Sequence, residues 1–260
     1  MRILIKIGGT LLDASESRAC LAAQVAQIAG KHQVVVVHGG GKQMSRFLEQ
    51  QGIESRFVNG LRVTTPDTID AVLKVFAGSV NHGLVASLVA AGTNAVGLSG
   101  IDACLTEAVQ MDPALGAVGR VVRSNAGILE LLTKHAYLPV VACVAGDRQG
   151  NIYNVNADQM AVACAAGFQA DQLLFLTDVE GVLDESKRLL PALTIEGCDQ
   201  LIAAGVATGG MQAKLTAACS ALRGGVAQVR ILPGAAERVI ERALSGQPIG
   251  TRVVTQEVVS

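Results

Sequence analysis

Arg2-Ile3-Leu4-Ile5-Lys6-Ile7-Gly8-Gly9-Thr10 opens the chain, and Val34-Val35-Val36-Val37-His38-Gly39-Gly40-Gly41-Lys42 repeats its plan. Each is a short, branched, apolar run that ends in glycines. Such runs are too short for helices and show no polar alternation, so they read as strands covered on both faces. Residues 95–98, 138–144, 173–176 and 229–232 read the same way. Alanine-rich stretches between them predict helices over 18–29, 43–51, 68–90, 125–135, 157–167, 200–205, 211–223 and 235–244. Strand–helix alternation along the whole chain predicts an α/β fold, a three-layer αβα sandwich around a mostly parallel central sheet. One segment breaks the rhythm: 105–110 and 117–122, around Met111-Asp112-Pro113, read as an inserted β-hairpin. No Ser/Pro-rich linker interrupts the chain. Two lobes, 1–170 and 171–260, are therefore expected to share one continuous sheet.

Composition narrows the function. The chain has 260 residues, 50% of them hydrophobic, so it can bury a large core and is not disordered. Its 21 basic and 22 acidic residues nearly cancel, and aromatics make up only 3%; a nucleic-acid surface needs a basic stripe that is missing here. The longest run without Asp, Glu, Lys or Arg, 75–101, contains Ser79, Asn81, His82, Ser87, Thr93 and Asn94 and a helix end at Ala91-Gly92. It is not expected to span a membrane, which takes about 20 predominantly apolar residues. The direct start into a strand predicts no signal peptide. Six scattered cysteines with no CxxC pair predict buried small hydrophobes in a reducing cytoplasm.

Ligands of open α/β sheets bind outside the carboxyl ends of the strands, where this chain concentrates its glycines. Gly8, Gly9, Gly40 and Gly41 could present bare amides to an anion, helped by the helix N-terminus that follows; two tight turns would use the same residues. Gln43 stands where a P-loop has Ser or Thr, and no glycine lies five residues before Gly41; no GxGxxG follows the first strand. Lys6 sits inside an apolar strand, where an ammonium either faces an anion or snorkels out. Lys214, at the start of a helix led by Thr208-Gly209-Gly210, is misplaced beside the positive end of the dipole unless a ligand brings negative charge; a solvated lysine is the alternative. In Asn154-Val155-Asn156-Ala157-Asp158, Asn156 suits a helix cap, Asp158 suits the first turn, and Asn154 is left to donate to a ligand. Thr177-Asp178-Val179-Glu180-Gly181-Val182-Leu183 follows a strand and could line a nucleotide pocket or form an ordinary turn. Arg62, in Asn59-Gly60-Leu61-Arg62-Val63-Thr64, could clamp a carboxylate or be a solvated loop residue.

Together these blocks resemble the amino acid kinase superfamily, and within it the N-acetylglutamate kinases, nearly from end to end. The NGLRVT and NVNAD blocks in this order are the specific ones. The resemblance implies transfer of the γ-phosphate of MgATP to the side-chain carboxylate of N-acetyl-L-glutamate. It implies that Lys6 and Lys214 stabilise the phosphoryl group in flight and that Asp158 orients them. It implies that Gly8 and Gly9 bind the nucleotide and Gly40 and Gly41 the amino-acid substrate, with the Gly9, Gly40 and Gly41 amides donating to the phosphates and the acceptor. Arg62 and Asn154 would hold the amino-acid substrate, and Thr208 with the Thr177 to Leu183 stretch would line the ATP site. Mg²⁺ is expected mainly on the phosphates, with no metal ligands of the protein's own. The first strand begins close to the N-terminus, which resembles the arginine-insensitive dimeric type, so a cytoplasmic homodimer whose turnover ignores millimolar arginine is expected. A kinase for a differently acylated or carrier-linked glutamate or aminoadipate is the nearest alternative. A silent sensor protein would not need both lysines.

Overall fold

A computed structural model describes residues 1–255; residues 256–260, the tail of the second expected lobe, lie outside the described residues. The strands are β1 Arg2–Ile7, β2 Gln33–His38, β3 Phe57–Val58, β4 Leu61–Arg62, β5 Ala95–Ser99, β6 Thr106–Gln110 and β7 Gly119–Ser124. They continue with β8 Leu138–Ala142, β9 Val144–Gly146, β10 Ile152–Asn154, β11 Gln172–Thr177, β12 Ala192–Thr194, β13 Gln228–Pro233 and β14 Thr251–Val254. The helices are α1 Ser15–Ala29, α2 Gly41–Gln50, α3 Pro66–Ala90, α4 Gly127–Lys134, α5 Ala157–Gly167, α6 Ile195–Ala203, α7 Gly209–Arg223 and α8 Val239–Leu244.

Eight strands form the central sheet in the order β12-β14-β13-β11-β1-β2-β8-β5. Pairing within it is parallel except between β13 and β14. Ile3, Leu4, Ile5 and Ile7 of β1 and Val35, Val36 and Val37 of β2 are fully buried, as strands covered on both faces must be. After β1 the chain fills β2, β8 and β5 on one side, then returns to β11 on the other. The carboxyl end of β1 is thus a topological switch point, where the connections diverge and leave a crevice.

The expected hairpin is present as β6 and β7, paired antiparallel, but it belongs to a second sheet of order β10-β9-β6-β7. The stretch 138–144, read as one strand, divides at Cys143: β8 stays in the central sheet and β9 crosses to the second. The 59–64 block, read as a loop, is part of a two-stranded ribbon over 57–62 that turns at Asn59 (φ 50°) and Gly60 (φ 78°), the paired positive angles of a tight two-residue hairpin. Strands β12 and β14 were too short or too mixed in sequence to stand out. Helix α6 begins at Ile195 rather than 200 because Thr194 caps it, its side chain accepting from Gly197 N at 3.0 Å. Helix α8 begins at Val239 rather than 235, after Arg238 adopts φ 51°.

Helix α3 is the one helix among the described residues long and apolar enough to cross a membrane. In this fold its Val72, Phe76, Leu84 and Leu88 pack into the core instead. Leu73–Val80 is wound as a π-helix, a form that widens the turn and re-aims side chains. The cysteine expectation needs correction: Cys143, Cys164, Cys198 and Cys219 are buried, but Cys20 and Cys104 are exposed. Burial pushes the Cys143 and Cys164 thiols up to about 12, so both are inert.

Candidate active site

Lys6 is the next-to-last residue of β1, and its side chain leaves the strand toward the start of α5. There its Nζ meets Asp158 Oδ1 at 2.6 Å, with only 8% of either side chain exposed. Asp158 is held in place by its own helix. Asn156 caps α5, its Oδ1 accepting from Asp158 N at 2.9 Å and Gln159 N at 3.3 Å. From the other side, Lys214 in the second turn of α7 brings its Nζ to 3.9 Å from Asp158 Oδ2 and donates to Gly210 O at 3.3 Å. Burial lowers the Lys214 pKa; Asp158 opposes that shift and Lys6 adds to it. Two ammonium groups therefore share one carboxylate at the mouth of the crevice. The surplus positive charge is favourable only when an anion joins it.

The glycines supply the rest of the cradle. Because Ile7 pairs with His38, Gly8-Gly9 and Gly39-Gly40-Gly41 leave the sheet side by side. Gly8 donates its amide to Leu176 O at 3.0 Å, extending the sheet. Gly9 lies over the second turn: a Cβ on it would stand 3.2 Å from Gly41 N and 3.5 Å from Gly40 N. Gly41 is the first residue of α2, so its amide faces outward with the positive end of the helix dipole. Gln43 Nε2 pins Gly9 from below by donating to Gly9 O at 3.0 Å.

Arg62 is not a solvated loop residue. It lies on β4, is 8% exposed, stacks 4.6 Å from the Phe57 ring centroid, and donates to Ser55 Oγ, Ser45 Oγ and Gly41 O. Its guanidinium thus ties the ribbon to the glycine turn. Asn154 lies on β10, and its Nδ2 donates to Thr64 Oγ1 at 3.0 Å. Thr64 in turn exchanges backbone bonds with Leu115 and Ala117, so the second sheet and the ribbon close around the same side of the crevice.

The Thr177 to Leu183 stretch divides. Thr177 is buried beside Gly8 and donates to Asp178 Oδ1 at 3.2 Å. Asp178, Val179, Glu180 and Leu183 are exposed, whereas Gly181 and Val182 pack inward, with Val182 N donating to Thr251 Oγ1 at 2.8 Å. Thr208 is exposed at the start of α7.

Sequence reasoning missed the group beneath the glycine turn. His38 is fully buried; its Nδ1 is 2.9 Å from Gly39 O and its Nε2 is 3.0 Å from Asn81 Nδ2. The one available signal was a single asparagine inside the apolar run of α3. Burial lowers the His38 pKa from 6.5 to about 4, while its contact with Gly39 opposes the shift. The folded imidazole therefore stays neutral where the unfolded one takes a proton. Its contribution is fully present above about pH 6.5 and is lost as pH falls toward 4, a drop corresponding to about 3 kcal/mol. Melting temperature is expected to fall between pH 6.5 and 4.5, and a His38→Asn variant, scanned the same way, should flatten that fall.

A cavity of about 540 Å³ lined by Met1, Lys31, His32, Arg238 and Glu241 lies at the amino ends of β1 and β2, away from the glycines. The chemistry-bearing groups converge at the opposite ends of those strands.

The profile of the amino acid kinase family matches residues 1–233. This chain belongs to the amino acid kinase family. An acetylglutamate kinase of Solibacter usitatus is 66% identical over 256 residues, covering 98% of this chain and all of the relative. An acetylglutamate kinase of Acidobacterium capsulatum is 43% identical, with 98% of this chain and 99% of the relative covered. Among solved structures, the N-acetylglutamate synthase of Neisseria gonorrhoeae superposes with a TM-score of 0.87 at 24% identity, over all of this chain and 60% of that one. This chain spans about three fifths of that protein's length, and the likeness shows the amino acid kinase fold.

Proposed function

We propose that this amino acid kinase transfers the γ-phosphoryl group of ATP to the side-chain carboxylate of N-acetyl-L-glutamate, giving N-acetyl-L-glutamyl 5-phosphate, the second step of arginine biosynthesis. The observation that carries the reading is the convergence of Lys6 and Lys214 on Asp158 beside the Gly9, Gly40 and Gly41 amides. A carboxylate is already a nucleophile at neutral pH, so no base has to be found. One of its oxygens forms a bond to the γ-phosphorus, the bond from phosphorus to the bridging oxygen breaks, and ADP leaves with the electron pair. The obstacle is repulsion between anions, and the site answers it with positioned charge.

In this reading Lys6 and Lys214 stabilise the migrating group and Asp158 holds them in register. Gly9, Gly40 and Gly41 donate amides, and Arg62 and Asn154 bound the amino-acid side. The Thr177 to Leu183 stretch and Thr208 border the nucleotide. Residues 1–170 then serve the acylated amino acid and 171–260 the nucleotide. Both Asp158 oxygens face ammonium groups, so the donor set leaves Mg²⁺ to the phosphates and water. When bound with ATP, Mg²⁺ neutralises phosphate charge.

A homodimer in the cytoplasm completes the proposal. Helix α3 carries a largely apolar stretch of which only 39% is buried, and β5 beside it is an outer edge of the sheet. A second copy would cover both.

Hydroxylamine traps acyl phosphates as coloured hydroxamates. With ATP and Mg²⁺, the trap is expected to respond to N-acetyl-L-glutamate and to stay near background with N-succinyl-L-glutamate and N-acetyl-L-aminoadipate. A stronger response to either of the latter would overturn the substrate assignment.

A further inference from the structure

The buried His38–Asn81 pair has no place in the chemistry above, yet it touches the glycine turn directly. Asn81 Nδ2 lies 2.9 Å from Val140 O and 3.4 Å from Leu98 O, so the amide nitrogen faces this cluster and is its donor. Its second hydrogen is then available to His38 Nε2 at 3.0 Å, which must accept. The ring proton is thereby placed on Nδ1, which donates to Gly39 O at 2.9 Å. A trans peptide carries its C=O and its N–H on opposite sides. Anchoring Gly39 O on the buried imidazole therefore turns the Gly40 N–H the other way, toward Gly9 and the crevice.

The neighbours reinforce that orientation. Gly40 rests against Phe76, whose Cδ1 and Cε1 would lie 2.9 Å and 3.0 Å from a Cβ there, and against Val80. Gly39 packs on Ala157 of α5, one residue before Asp158. Phe76 and Val80 belong to the π-helical segment that ends at Asn81. A Cβ at Gly97 of β5 would overlap Asn81 Oδ1, so the asparagine has a fitted seat. The widened turn thus delivers the packing residues and the hydrogen-bond donor to one peptide.

We propose that His38 and Asn81 are positioning residues for phosphoryl transfer: by fixing the Nδ1–H tautomer of His38, Asn81 locks the Gly39–Gly40 peptide so that the Gly40 amide faces the transferring phosphoryl group. This deepens the kinase reading and rests on it. Neither side chain touches the reactants.

Two variants and one measurement on the unaltered protein test the proposal. His38→Leu removes the donor. His38→Asn keeps an amide N–H near the position of Nδ1 while dropping Nε2. In the hydroxamate assay, His38→Leu is expected to lose at least about tenfold in kcat, with KM for ATP and N-acetyl-L-glutamate within about threefold of the parent value. His38→Asn should recover kcat to within about threefold of the parent. Equal losses in both folded variants, or a change confined to KM, would overturn the assignment. Nitrogen-15 NMR of the imidazole-labelled parent protein should find His38 as the Nδ1–H tautomer at neutral pH, and an Nε2–H tautomer overturns the proposal whether or not His38→Leu folds. The NMR readout needs no substrate, so a chain that forms no acyl phosphate would sink the kinase reading separately.

Discussion

Lys6→Ala and Lys214→Ala are each expected to lower kcat at least about 10²-fold while KM for both substrates changes little. The reason is differential charge. Substrates arrive with their negative charges already solvated by Mg²⁺ and water, whereas the phosphoryl group in transit depends on fixed cations aimed at it; losing one preorganised donor of this kind costs roughly 3 kcal/mol in the barrier. Lys6 and Lys214 bracket a single carboxylate at 2.6 Å and 3.9 Å, so removing either cancels the surplus positive charge of the site. The stability effects should differ. Lys6 and Asp158 are each 8% exposed, and Lys6→Ala leaves that carboxylate with one distant partner, whereas Lys214 is 17% exposed. Lys6→Ala should therefore melt lower than Lys214→Ala. Adding Asp158→Ala to Lys6→Ala should restore part of the melting temperature and none of the rate. Steady-state kinetics with thermal melts checks all three, and near-parental turnover in either single variant would remove the lysines from the mechanism.

Gly9→Ala should be as damaging to turnover and far milder to the fold. The added methyl would sit 3.2 Å from Gly41 N and 3.5 Å from Gly40 N, close to where an oxygen accepting from those amides has to lie. The backbone of Gly9 needs no left-handed angle, since it is absent from the positive-φ glycines, so the substitution acts by occupying space. A loss of about 10²-fold in kcat/KM is expected, with a change of no more than about 1 kcal/mol in stability, as for a modest crowding of a surface cleft. Kinetics together with urea unfolding would show it. A Gly9→Ala enzyme of normal activity would mean that the phosphoryl group approaches elsewhere.

Much of this architecture was legible because the buried parallel strands state their own nature. Ile3 to Ile7 and Val34 to Val37 cannot be soluble helices, and the glycines after them mark the ligand edge. The lysines were legible as misplaced charges: Lys6 in an apolar strand and Lys214 at a helix start each called for an anion, and Asp158 is the permanent one. Short elements were not legible. Strands β3 and β4 have two residues each and owe their existence to the Asn59-Gly60 turn. The division at Cys143 is defined by pairing partners elsewhere in the chain, β2 and β5 for β8 and β6 and β10 for β9, and has no local signature. Arg62 could be read as a clamp or as a solvated loop residue, and the sequence did not decide between them because its partners Ser45, Ser55 and Phe57 lie outside the NGLRVT block. The His38–Asn81 contact was hidden because Asn81 is 43 residues away, one of several polar residues scattered in a largely apolar stretch.

Strand β1 is hydrogen-bonded to β2 on one side and to β11, at Gln172–Thr177, on the other. During synthesis on the ribosome, the first strand made must therefore wait for well over half of the chain before its second neighbour exists. Until then Ile3, Leu4 and Ile5 stand on an open border that any β-prone nascent chain can join. Translation pauses that come before residues 172–177 have left the ribosome should raise the demand for chaperones and the yield of insoluble product, and pauses that come after they have left it should not.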